Sequence, residues 1–95
     1  MEMESPAQSI EFSNRTKMTL MILVEPQGED YCVNPGQKLT LRYYGSDLQV
    51  EWSGDVWGGL AAVVISGLAD GQWAFYEGER KVESGHNQPQ PLRIL

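Results

Sequence analysis

The sequence predicts an all-β domain, a small antiparallel sandwich or barrel-like fold of six to seven short strands. Three observations carry this expectation. Glycine and proline cut the 95-residue chain into windows too short for ordinary helices: eight residues between Gly36 and Gly45, seven from Leu60 to Ser66, six from Gln72 to Glu77. Soluble-protein helices average about 11–12 residues, whereas strands run about 5–6. Several windows alternate apolar and polar side chains with the period of two that a half-buried strand requires. Turn chemistry recurs between them at intervals of about 8–12 residues, the spacing of sandwiches and small barrels.

Only the stretch from Ala7 to Glu25 is long enough for a helix, and the apolar positions of its first half, at 7, 10 and 12, do not make a helical stripe. The run Met18-Thr-Leu-Met-Ile-Leu-Val-Glu25 is mostly apolar and reads as a central strand. A short strand follows at Tyr31 to Val33, bracketed by Pro26-Gln-Gly-Glu-Asp30 and Asn34-Pro-Gly36. In Asn34-Pro-Gly-Gln37 proline presets φ at the second turn position and glycine supplies φ > 0 at the third, the signature of a type II turn. Lys38 to Tyr44 alternates with Leu39, Leu41 and Tyr43 inward. Leu48 to Trp52 alternates with Leu48, Val50 and Trp52 inward. Leu60 to Ser66 is apolar and β-branched, as a central strand would be. Gln72 to Glu77 puts Trp73 and Phe75 on one face, and a weak last strand covers Arg80 to Glu83.

Two readings of the segment around Gly54-Asp55 stay open. As a two-residue hairpin loop it pairs Ser53 with Val56 and sets Trp52 opposite Trp57, with a bulge or kink at Gly58-Gly59. As one long loop from Ser53 to Gly59 it exposes Trp57 at the tip. Consecutive antiparallel pairing, with one Greek-key crossing at most, is the default topology. The expected organisation is a flexible segment 1–17, a single β domain 18–83 and an extended tail 84–95 whose Pro89 and Pro91 favour polyproline-like backbone. The apolar Leu92-Arg-Ile-Leu95 would dock on its own domain or on a second copy.

Charge excludes one class of partner. The net charge is −6, and the basic residues at 15, 17, 38, 42, 80, 81 and 93 are scattered, whereas phosphate binding needs a clustered positive field. No apolar run approaches the ~20 residues of a membrane span, and the acidic Met1-Glu-Met-Glu4 start is unlike a signal peptide. A single cysteine agrees with a cytoplasmic protein. The expectation is therefore no nucleic acid and no membrane, with a protein partner or self-association open.

Catalytic and metal chemistry finds little to stand on. Cys32 and His86 are the only Cys and His. A blue-copper site wants two His and a Cys, and zinc would have to recruit carboxylates. Cys32 reads as a small buried hydrophobe and His86 as a solvated or locally bonded turn residue. Together they supply half of a nucleophile–base pair. No Gly-x-Ser-x-Gly, phosphate-binding loop or His-Glu-x-x-His is present. No catalytic, metal or cofactor-binding residue is assigned, and no cofactor is expected. Asn14-Arg-Thr16 matches the glycosylation pattern, which has no meaning without secretion.

Aromatic residues are the distinctive feature: Tyr31, Tyr43, Tyr44, Trp52, Trp57, Trp73, Phe75 and Tyr76. If Tyr43 and Trp52 face in, Tyr44 faces out. Tyr44, Tyr76 and, in the loop reading, Trp57 are the candidate interaction surface, since exposed rings on a sheet bind peptides, sugars or a second subunit.

The stretch Val24-Glu-Pro-Gln-Gly-Glu-Asp-Tyr-Cys-Val-Asn-Pro-Gly-Gln-Lys-Leu39, with Val50-Glu-Trp52 and Gly85-His-Asn-Gln-Pro89, resembles a group of short bacterial all-β proteins with a Glu-Pro, aromatic, Pro-Gly segment. That group has no assigned activity, so the resemblance implies a fold and a bacterial source but no chemistry. The Pro-Gly turn before a strand is also similar to cupins, which place a His-x-His pair and a Glu in the following strand. Here Lys38-Leu-Thr-Leu-Arg-Tyr-Tyr44 holds no His, which rejects a metal-binding cupin. The sequence thus points to a non-catalytic binding or assembly module. The alternatives are a small-ligand or carbohydrate binder on a Trp/Tyr-lined surface and, third, a metal- or thiol-dependent enzyme.

Overall fold

A computed structural model describes residues 7–45, 47–56 and 60–87, with the backbone alone for residues 53–56 and 60. The described residues form eight strands and no helix: β1 Gln8–Ser13, β2 Leu20–Glu25, β3 Glu29–Val33, β4 Lys38–Tyr43, β5 Gln49–Val56, β6 Leu60–Ser66, β7 Trp73–Glu77 and β8 Arg80–Val82. They build two four-stranded sheets, β1-β4-β7-β8 and β3-β2-β6-β5, packed as a sandwich. No helix among them is long and apolar enough to cross a membrane.

The count is eight where the sequence predicted six to seven, and the added strand is β1. Its residues fall in the segment read as flexible, because only Ile10 and Phe12 are apolar at strand spacing. An edge strand needs only one apolar face. Gln8 to Ser13 pairs along its whole length with Tyr43 to Lys38, and Ile10 and Phe12 pack on the core.

Topology also departs from the default of consecutive pairing. The chain changes sheets repeatedly, and β2 runs parallel to β6 in the register Leu20↔Ala61 to Glu25↔Ser66. Both strands lie inside their sheet and are apolar on both faces, the composition that parallel pairs require. Their shared inner face carries Ile22, Val24, Val63 and Ile65, buried in the main core. Their outer face carries Met21 and Ala62, which bury with Cys32 of β3 in a second, smaller cluster.

The main core joins both sheets. Tyr31 and Val33 meet Leu39, Leu41, Tyr43, Phe75 and Val82, with Leu68 closing one end. Phe75 is fully buried and its ring centroid lies 4.2 Å from that of Tyr31. The inward set Leu39, Leu41 and Tyr43 is as the alternation predicts. The turn at Asn34–Gln37 also forms as read: the Gln37 amide donates to the Asn34 carbonyl at 2.9 Å and Gly36 has φ +83°.

β5 corrects two expectations. Ser53 pairs with Ala62 and Val56 with Leu60, so Gly54-Asp55 is not a hairpin loop but sits in an irregularity of register within the strand. Glycine inside a strand commonly marks such a bulge. The hairpin's connection, with Trp57 and the Gly58-Gly59 pair, lies outside the described residues. The second correction is that Val50 and Trp52 are 48% and 67% exposed. Their pairing with the buried Ile65 and Val63 confirms that they occupy the inner face of the sheet. What fails is coverage: among the described residues β5 is an edge strand, with β6 as its one neighbour in the sheet.

Candidate functional site

Strand pairing decides which surface side chains meet. On the outer face of β1-β4-β7-β8 the register aligns Glu11, Thr40, Tyr76 and Lys81 in one row and Ser9, Arg42 and Ala74 in the next. Tyr44 follows β4 directly, where its amide donates to the Gln72 carbonyl at 3.0 Å. A groove of about 360 Å³ lies on this face, lined by Tyr44, Tyr76, Arg42, Lys81, Trp73 and Ala7, among others. The structure therefore brings Tyr44 and Tyr76 together. Both are half-buried. Trp57, the third predicted surface aromatic, lies outside the described residues.

The groove has a definite electrostatic character. The guanidinium carbon of Arg42 sits 4.6 Å from the centroid of the Tyr76 ring, a cation–π arrangement. The strand positions of this face carry three cations, Lys38, Arg42 and Lys81, against one carboxylate, Glu11. Among the described residues the ion pair of Arg80 with Glu77 lies elsewhere. A chain with a net charge of −6 thus presents one cationic, aromatic face. Scattered numbering concealed it: position 81 of β8 joins the face of positions 38 and 42 of β4 only once β4 pairs with β7 and β7 with β8.

A second groove, of about 330 Å³, adjoins the first, with Gly71, Trp73, Ala74 and Lys81 lining both. Its far wall is acidic, with Glu29, Asp70 and Glu83. Trp73 is no flat platform here. It packs edge-on against Tyr31 and Phe75, at interplanar angles of 81° and 83°. Tyr31 donates its hydroxyl to Glu29 at 2.8 Å, and burial, together with that bond, pushes its pKa above the ordinary tyrosine range.

A third groove is apolar. Trp52, Met18, Leu20 and Ala61 line about 250 Å³ beside the uncovered inner face of β5. Met18 is 54% exposed. Trp52 and Trp73 line different grooves, so they do not close one tryptophan-walled cleft.

Cys32 and His86 are neighbours along the backbone but not in chemistry. The Cys32 amide donates to the His86 carbonyl at 2.9 Å. The thiol packs with Met21 and Ala62, where burial, with a smaller effect of Asp30, raises its pKa to about 11. The imidazole Nε2 lies 3.3 Å from Glu77 Oε1 and makes no hydrogen bond among the described residues. No hydrogen bond joins thiol and imidazole, and a thiol held neutral is a weak nucleophile. Among the described residues no three potential metal ligands cluster.

Comparisons of the chain with protein-family models, with curated proteins and with solved structures find no match.

Proposed function

We propose that this protein is a small non-catalytic binding or assembly module, and that its contact surface is the outer face of the β1-β4-β7-β8 sheet. The observation that carries the reading is the convergence of Tyr44, Tyr76, Arg42 and Lys81 on one groove. Tyrosine and arginine dominate the energetic centres of protein interfaces because they bury large area and keep a polar end. The adjoining groove with its acidic wall gives the surface both signs of charge, which suits a polypeptide better than a neutral sugar. The buried, unpaired Cys32 fits a reducing compartment, and we place the protein in the cytoplasm.

Sedimentation velocity over a concentration series, with the double variant Tyr44→Ala/Tyr76→Ala beside the natural chain, tests the reading. Loss of two interface rings weakens association by about 2 kcal/mol or more, roughly 30-fold. A partner protein would be retained by the natural chain and lost by the double variant. Equal association by both sinks the assignment.

One observation favours a small-ligand reading instead. The exposed Trp52 lines an apolar groove, which would take a small apolar molecule. Tryptophan fluorescence against a metabolite and glycan panel reads this, with Trp52→Phe as the control.

A further inference from the structure

We infer that the outer face of β1-β4-β7-β8 docks on the same face of a second copy of this chain, about a two-fold axis that runs along β7 in the plane between the copies. The inference rests on the binding reading above and names the partner.

Symmetry is the first argument. A two-fold contact joins identical surfaces, so the surface must complement itself. The order β1-β4-β7-β8 puts Arg42 of β4 on one side of β7, and Glu83 directly follows β8 on the other. Between them lies Ala74, which pairs with Arg42 and lines both grooves. An axis along β7 exchanges the two sides. Arg42 of each copy then faces Glu83 of the other, twice by symmetry. Ala74 and Tyr76, outward residues of β7, meet their own counterparts on the axis. The strands of the two copies run aligned, as sheets packed face to face commonly do, and a residue as small as Ala74 suits the ~10 Å spacing of such a pair.

Charge is the second argument, and it selects the partner. A net charge of −6 makes two copies repel over most of their surface. On this face Arg42 and Lys81 lie beside an acidic wall of Glu29, Asp70 and Glu83. Arg42 and Glu83 are exposed, and neither is in an ion pair among the described residues. An unrelated protein would have to carry both signs of charge in the matching arrangement. A second copy carries them by construction. Exposed ion pairs alone are weak, and the rings of Tyr44 and Tyr76 add the buried area that interface centres draw on.

The test is sedimentation equilibrium of the full chain with charges exchanged across the axis. The natural chain should be dimeric at ~100 μM. Arg42→Glu alone, or Glu83→Arg alone, sets like charges face to face at two places and should weaken the dimer roughly 10-fold or more. Both substitutions in one chain should restore the dimer. So should an equimolar mixture of the two single variants, as a heterodimer. Both positions are exposed, so the variants keep the fold, which circular dichroism checks. A natural chain that stays monomeric overturns the inference. So do single variants that associate like the natural chain, or failure of either combination to restore the dimer. Growth beyond a dimer also overturns it, since a two-fold contact closes. If the charge exchange fails while Tyr44→Ala/Tyr76→Ala still abolishes binding to a different protein, the binding reading stands and this inference alone falls.

Discussion

At Asn14 the side chain spends every hydrogen bond it has inside the protein. It is 3% exposed. Its Nδ2 donates to the carbonyls of Met18 and Val33, each at 2.7 Å. Its Oδ1 accepts from the amide and hydroxyl of Thr16, at 2.9 and 2.7 Å. The tripeptide Asn14-Arg-Thr16 is thus a local turn device, and the Asn14 side-chain nitrogen is committed to two carbonyls, that of Val33 buried and that of Met18 part-buried. Replacing Asn14 with Ala leaves those carbonyls without that donor, and we expect a loss of about 2–4 kcal/mol. Urea unfolding should show a lowered midpoint at unchanged slope. Read from the sequence, Asn14-Arg-Thr16 is only a glycosylation pattern in a flexible segment, although Asn and Thr often bond nearby backbone. The bond to Val33 leaves no local signal at all, because it crosses to a strand that the sequence does not place beside it. At Cys32 and Tyr31 the native state holds the neutral form, so both folded pKa values lie above the ordinary ones. Unfolding then releases protons at alkaline pH, and stability falls as pH rises from about 9 through 11. Cys32→Ala should flatten the first part of that fall, and Tyr31→Phe the later part. Equal slopes in both variants and the natural chain would refute the assignment.

Among elements, β5 shows what alternation can and cannot tell. Its period of two fixed the face of Val50 and Trp52 correctly, but a period carries no information about whether another layer lies over that face. Coverage depends on where the strand falls in the sheet, and that is set by partners far along the chain. We therefore expect two aromatic truncations to differ sharply. Trp52→Ala, at an exposed site, should change stability by about 0.5–1 kcal/mol. Phe75→Ala, at the closed centre of the core, should cost about 3–5 kcal/mol. Chemical denaturation of both decides it, and comparable losses would refute the edge position of Trp52. The turn after β6 offers a backbone test. Gly67 has φ +92°, and a Cβ there would meet the carbonyl of Asp47. Gly67→Ala should thus destabilise by more than the ~1 kcal/mol of a positive φ alone. By comparison Gly71→Ala, with φ +77° and open space around it, should pay the φ term only.

For the whole molecule, strand content and turns were readable because Gly, Pro and period-two alternation act locally. Strand order was not, because the inward faces of β4, β6 and β7 are all apolar and each would bury against several neighbours equally well. The exception is the pair β2 and β6, whose two-sided apolar runs mark them as interior strands without naming each other. The same limit governed the site. Tyr44 and Tyr76 were recognisable as outward-facing rings, but their company with Arg42 and Lys81 is a product of register. The parallel β2–β6 ladder has a practical consequence. It joins a strand from the first half of the chain to one from the second, and β4–β7 does the same in the other sheet. Severing the chain between β4 and β5 would leave two fragments, each holding incomplete portions of both sheets. Neither could close a sandwich alone, yet each presents the open ladder that the other fits. The domain is thus built as a pair of complementing fragments, suited to reporting whether two fused proteins have met.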